Sequence, residues 1–130
     1  MNRKGFTLVE LLAVIVIIGA LSSIAVVAYN TFIDNARDRV YKTYEDTMKA
    51  EAEMYLIDNS SMIPAVGGQT TIKIEDLGID PIQNPDDSND LCLNSYVLIK
   101  RGADIGINYN LTYDVCLKCN EYKTQSASCS

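Results

Sequence analysis

The chain opens with a long apolar stretch and then changes to a mixed pattern of apolar and polar residues. No charged residue lies between Leu11 and Ile33, a run of 23 residues. A helix of that length spans the hydrocarbon core of a bilayer. The pattern therefore predicts a membrane-spanning helix near the N-terminus. Because Arg3 and Lys4 precede it, and basic flanks stay in the cytoplasm, we expect the C-terminal part outside.

Beyond the apolar run, residues 30–58 keep a helical pattern with one apolar stripe. Charges of both signs occupy the other faces, and Glu45 and Lys49 have the spacing of a favourable ion pair. We expect the helix to end at Asp58–Ser61, with its second half packed against a small domain. The stripe recurs at spacings of three and four residues and comprises Ile33, Ala36, Val40, Tyr44, Met48, Ala52 and Tyr55.

The remaining residues predict a small β-structure. Residues 71–78 suggest a short helical turn closed by Gly78. Tyr96–Arg101 has the composition of a strand, and Ile107–Leu117 predicts a second one after a turn at 102–104, with a break expected near residues 108–110. The predicted fold is α+β. It consists of a long N-terminal helix, transmembrane in its first half, with a small C-terminal antiparallel sheet packed on its second half.

Composition narrows the functions that this chain can perform. The sequence contains no histidine, which excludes serine–histidine and cysteine–histidine catalysis, and we expect no enzyme activity and no cofactor. The formal charge is −6, so direct binding to nucleic acid is not expected.

The N-terminal stretch allows three interpretations. An ordinary secretory signal would be cleaved near Ala20–Ser23 or Ala25–Ala28, and a plain signal anchor would not be cleaved. Neither interpretation explains the residues that precede the apolar run.

Those residues, Arg3-Lys4-Gly5-Phe6-Thr7-Leu8-Val9-Glu10, resemble the signature of type IV prepilins. The resemblance covers residues 3 to about 30. It implies that a membrane aspartic peptidase cuts between Gly5 and Phe6 and N-methylates Phe6. It further implies a leader at 1–5, a membrane and filament-core helix at 6–29, the soluble half of the helix at 30–60 and a globular head at 61–130. Loss of Arg3 and Lys4 would leave nine basic against 17 acidic residues, a formal charge of −8.

Glu10 is a carboxylate beside a hydrophobic span. Such a charge costs roughly 2.5–3.5 kcal/mol within the membrane, so it normally has a partner and a function. The α-amine of a mature Phe6 would lie one helical turn away, in the same chain or a neighbouring one. The resemblance implies that Glu10 attracts the amine of the adjacent subunit and sets the axial register. The alternative is an acidic residue favoured by the helix dipole, with Thr7 as the cap.

Small residues interrupt the apolar helix. Gly19 and Ala20 would allow close packing of helices in lipid. Many members of the family have proline where this chain has Val27, so we expect Gly19 to be the weak point of the helix.

All four cysteines lie in the last forty residues. Outside the cell two disulfides are expected, and the ends of a hairpin would bring Cys92 to Cys119, leaving Cys116 with Cys129. The segment from Cys92 to Thr124 also resembles C-terminal hairpins of pilin-like proteins from Gram-positive bacteria. One alternative is a zinc site of four thiolates, and another is a redox pair at Cys116 and Cys119.

The loop before the first predicted strand is acidic. Asp86, Asp87, Asn89 and Asp90 have oxygen ligands suited to calcium, although their spacing matches no EF-hand. The other interpretation is an exposed acidic loop.

The leading hypothesis is a type IV pilin-like structural subunit of a surface filament. Its expected partners are the prepilin peptidase and N-methyltransferase, the membrane, other copies or other pilins, and an assembly ATPase platform. Before assembly it would be a single-pass membrane protein with its C-terminus outside. The alternatives are a pseudopilin of a type II secretion or DNA-uptake machine, and a membrane-anchored metal-binding domain.

Overall fold

The computed structural model describes residues 4–129, so Arg3 of the basic leader lies outside the described residues. Helix α1 runs from Leu8 to Asp58, as the apolar run and the stripe together predict. Strands β1 (Gln69–Lys73), β2 (Tyr96–Arg101) and β3 (Leu111–Cys116) follow it. The α+β prediction is therefore confirmed.

The chain divides into two compact units, Met1–Ala36 and Arg37–Ser130, called here the N-terminal and C-terminal units. Helix α1 contributes residues to both. Each unit is described by itself.

The three strands form one antiparallel sheet in the order β1-β2-β3. Thr71 of β1 pairs with Leu98 of β2, which in turn pairs with Asp114 of β3. The helical turn predicted at 71–78 is wrong in its first part, because residues 71–73 belong to β1. Threonine and isoleucine at 70–72 favour extended backbone, and only Ile74–Asp76 forms a 3₁₀ turn. Gly78 follows with a φ of 70°, a conformation that favours glycine.

The second predicted strand is shorter than expected. Residues 107–110 lie in the loop that joins β2 to β3, and the strand itself begins at Leu111. A turn with Gly106 at φ 65° occupies the start of the predicted segment, so the chain cannot yet pair with β2 there.

The core of the C-terminal unit joins one face of the sheet to the second half of α1. Ile72, Val97 and Ile99 are buried in one cluster with helical residues. The predicted stripe is wrong by one position at Val40, which is exposed, whereas the neighbouring Tyr41 is buried. Tyrosine is accommodated there because its hydroxyl finds acceptors in the loop before β2. The buried helical residues are Tyr41, Met48, Ala52 and Leu56.

Candidate processing and assembly site

The predicted cleavage site precedes the first helical residue. Residues 4–7 are outside regular structure and exposed, and Phe6 is 89% exposed. The first helical hydrogen bond runs from the Leu11 N–H to the Thr7 carbonyl, at 3.2 Å. The bond between Gly5 and Phe6 therefore lies in exposed chain outside regular structure, where a peptidase can reach it.

Thr7 and Glu10 form a reciprocal cap at the start of α1. The Thr7 N–H donates to Glu10 Oε2 at 2.9 Å, and the Glu10 N–H donates to Thr7 Oγ1 at 3.2 Å. This is a capping box, which satisfies two amide groups that the helix leaves without partners. In a single chain Thr7 is thus the cap that the sequence predicts, and Glu10 takes part in the same cap through the Thr7 N–H. Its role in register stays a prediction.

The N-terminal unit presents an almost continuous apolar surface. Every residue from Leu8 to Phe32 is exposed. By length and composition α1 can cross a membrane. Its hydroxyl groups suit that environment, because Ser22 donates to the Ile18 carbonyl at 2.7 Å and Thr31 to the Val27 carbonyl at 3.1 Å. A Cβ built on Gly19 would meet nothing within 4 Å, so the surface beside Gly19 and Ala20 is open to a neighbouring helix.

The C-terminal unit is held together by a row of polar side chains on α1. Arg37 Nε lies 2.8 Å from Asp86 Oδ1, and the buried Tyr41 hydroxyl donates to Asp86 Oδ2 at 2.7 Å. Asn84 Oδ1 lies equally close to that hydroxyl. Burial and the adjacent Asp86 carboxylate raise the pKa of Tyr41 well above its usual value. The row fixes the loop before β2 against the helix.

Glu45 continues this row one turn further along. Its carboxylate accepts hydrogen bonds from the Tyr122 and Thr124 hydroxyls, both at 2.7 Å. Burial, followed by this carboxylate, raises the pKa of Tyr122 to about 12. The Tyr122 ring stacks on Tyr41 with centroids 3.9 Å apart. The predicted pair of Glu45 with Lys49 is therefore replaced by contacts to the C-terminal segment, which the helical spacing alone could not reveal.

Two disulfides close the C-terminal segment. Cys92 is joined to Cys119, as predicted, and Cys116 is joined to Cys129. Among the described residues no cysteine is free, so no thiolate remains for the zinc or redox alternatives.

The carboxylates of the acidic loop have protein partners. Asp90 Oδ2 accepts the Asn120 N–H at 2.6 Å, and Asp90 Oδ1 accepts the Cys92 N–H at 3.0 Å. These backbone hydrogen bonds hold the pKa of Asp90 below its usual value. Asp87 Oδ1 accepts the Asn89 N–H at 3.0 Å. Asp86 therefore binds the loop to the helix, and Asp90 binds it to the C-terminal segment. The sequence alone suggests instead an exposed acidic loop.

Comparison with known proteins bears on the N-terminal segment. Residues 1–26 match the family model described as the prokaryotic N-terminal methylation motif. The N-terminal part of the chain is therefore similar to that of type IV pilins. The chain is 38% identical over 71 residues to the type IV major fimbrial protein FimA of Dichelobacter nodosus, covering 53% of this chain and 44% of that protein.

A second relative is the type IV wide pilus major component PilA4 of Thermus thermophilus. It is 42% identical over 60 residues, which cover 46% of each chain. The chain thus spans about half the length of the curated relatives it matches. No solved structure matches it.

Proposed function

We propose that this pilin is a structural subunit, cleaved after Gly5 and polymerised through its N-terminal helix into a surface filament. The observation that carries the proposal is the methylation motif on an accessible segment directly before an exposed apolar helix. The C-terminal unit has its own core and two disulfides, which suits a body exposed outside the cell. The pilin acts by packing against other subunits and catalyses no reaction.

Cleavage changes the charge at the start of the helix. In the precursor the nitrogen of Phe6 belongs to a neutral amide, and hydrolysis of the Gly5–Phe6 bond converts it to a positively charged amine. N-methylation keeps that charge. The Glu10 carboxylate then has a cationic partner within reach in the same chain or in a neighbour. We infer that the amine of the adjacent subunit replaces the Thr7 N–H as its main partner and sets the axial register.

The apolar helix would occupy two environments in turn. In the membrane its side chains contact lipid, and in the filament they contact the helices of other subunits beside Gly19 and Ala20. An ATPase-driven platform would supply the work of extracting it. The prepilin peptidase, this platform and other pilins are the partners that the proposal requires. The names of both relatives, a major fimbrial protein and a pilus major component, favour a pilus subunit over a pseudopilin.

Two substitutions at Glu10 separate capping from register. Glu10→Gln keeps an oxygen that can accept the Thr7 N–H but has no charge, whereas Glu10→Ala loses both. We expect both variants to be inserted and cleaved normally. Filament yield should fall at least about tenfold in each, because removing one partner of a charge pair costs roughly 2 kcal/mol or more.

The measurement is filament mass sheared from cells, with immunoblotting for the cleaved subunit in the membrane. If Glu10→Gln yields filaments at the level of the unmodified protein, Glu10 is only a helix cap and the register mechanism is wrong.

A further inference from the structure

The loop between β2 and β3, residues 102–110, is held by several contacts at its base and is called the tip loop here. Arg101 Nε donates to Asp104 Oδ1 at 3.0 Å, and its Nη1 donates to the Pro64 carbonyl at 3.1 Å. The same guanidinium lies 4.5 Å from the centre of the Tyr109 ring. At the base the Gly102 N–H donates to the Asn110 carbonyl at 2.9 Å. The loop is therefore ordered before any partner binds it.

The end of the tip loop carries apolar side chains where turns normally have polar ones. Ile105 and Asn108 exchange backbone hydrogen bonds at 3.1 and 3.2 Å, which puts Gly106 and Ile107 at the corners. Glycine, asparagine, aspartate and serine dominate such corners, and a β-branched apolar residue is unfavourable there. Ile107 is nevertheless 98% exposed and Ile105 72% exposed. The fold of the C-terminal unit gives neither side chain a packing role, which points to an interface.

A surface hollow of about 380 Å³ lies at the opposite end of the same sheet. Leu93, which is 65% exposed, contributes apolar surface to it at the start of β2. Strand β2 has six residues, so the hollow and the tip loop are separated by about 20 Å along the strand direction. The hollow is lined by Thr71, Lys73, Glu75, Leu93, Asn94 and Tyr96, among others.

Charge also favours contact between these two surfaces. The mature chain carries a formal charge of −8, so two copies repel each other over most of their surface. At the tip loop Asp104 is neutralised by Arg101. At the hollow Glu75 Oε1 lies 3.8 Å from Lys73 Nζ, and Lys118 Nζ lies 5.4 Å from the centre of the Tyr96 ring. Both surfaces are thus free of the net negative charge that keeps copies apart.

We propose that Ile107 of one copy inserts into the hollow beside Leu93 of the next copy in the filament. The contact joins two different surfaces at opposite ends of the sheet, so it is head-to-tail and can repeat from copy to copy along a filament. It adds a contact between C-terminal units to the packing of N-terminal helices. The inference rests on the proposed function, because it concerns subunits already in a filament.

Photocrosslinking tests the contact directly. Benzoylphenylalanine is placed at position 107 of the full-length pilin, filaments are sheared from cells and irradiated, and the crosslinked peptides are mapped. We expect a dimer in which residue 107 of one copy is attached within residues 93–96 or to Lys73 of another. Attachment elsewhere on a second copy, or no dimer, would overturn the proposal.

Substitutions give an independent readout. Ile107→Asn keeps a residue that suits the turn, and Leu93→Asn makes the same change in the hollow. Burying an isoleucine side chain raises the equilibrium constant of such a contact by about tenfold or more. Both variants should therefore lower filament yield by about that factor. Val66→Asn is the matched control, because Val66 is an exposed apolar residue outside the contact.

The outcomes also separate this inference from the proposed function. If the unmodified pilin forms filaments and Ile107→Asn forms as many, or Val66→Asn loses as much, only the tip contact is wrong. If the unmodified pilin forms no filaments, the proposed function fails.

Discussion

The two units of this protein use apolar residues in opposite ways. In the C-terminal unit Met48, Ile72 and Ile99 are buried in a single core. In the N-terminal unit the apolar side chains from Leu8 to Phe32 are all exposed, although they are the most hydrophobic in the chain. The C-terminal unit buries its apolar side chains within a single copy, whereas the N-terminal unit needs lipid or neighbouring helices to cover its own. The comparison predicts that substitutions in the N-terminal unit change assembly, whereas substitutions in the core of the C-terminal unit change folding.

The largest effect on folding should come from the disulfides of the C-terminal unit. Replacing Cys92 and Cys119 together by alanine opens a bridge between residues 27 apart in sequence. We expect a loss of about 3–4 kcal/mol in the free energy of unfolding, because the unfolded chain regains the conformations that the bridge excludes.

Replacing Cys116 and Cys129, which are 13 apart, is the matched control. By the same loop-closure argument, this double replacement should lower the free energy of unfolding by about 0.6 kcal/mol less than the first one. Denaturant unfolding of the full chain in detergent measures both losses.

Cleavage after Gly5 should be unchanged in both double replacements, because the N-terminal unit contains no cysteine. Loss of cleavage would mean that processing depends on the folded C-terminal unit.

A smaller effect is expected from the row of polar contacts on α1. Tyr122→Phe removes the hydroxyl that donates to Glu45 and should lower the free energy of unfolding by about 1–2 kcal/mol at neutral pH. Tyr109→Phe, at an exposed ring, is the control and should be nearly neutral.

The pH dependence of this contact has a definite sign. Folding raises the pKa of Tyr122 from 10.0 to about 12, so the folded state favours the neutral phenol. The resulting stability is fully present below pH 10 and is lost as the pH rises through about 12. Alkaline unfolding should therefore become less steep in Tyr122→Phe. An unchanged profile would mean that folding does not raise the pKa of the Tyr122 phenol.

The sequence predicted the N-terminal unit better than the C-terminal one for a physical reason. An uncharged run between Leu11 and Ile33 and the residues around Gly5 are local signals that need no knowledge of distant contacts. Glu45 shows the opposite case. Its neighbours on the helix suggest an ion pair with Lys49, but its partners Tyr122 and Thr124 are more than 70 residues away. Tyr41 was missed for the same reason, since its acceptors lie in the loop before β2.

The disulfide between Cys92 and Cys119 was predictable because the two residues flank a hairpin whose strands could be recognised. Strand β1 was not predicted, since five residues of alternating burial beside Gly67 and Gly68 give only a weak pattern. The sequence predicts only one of the two hydrogen-bonding roles in the capping box. Thr7 was identified as the cap, while the hydrogen bond from its N–H to Glu10 required the geometry of the first turn.

The most direct test of the account is mass spectrometry of the protein purified from its own cells. The account predicts a chain that begins at an N-methylated Phe6, and a Gly5→Ala variant that keeps residues 1–5. An intact start at Met1 would indicate a plain membrane anchor, and a start beyond Ala20 would indicate ordinary secretion. Either result would contradict the claim that this chain is processed as a filament subunit.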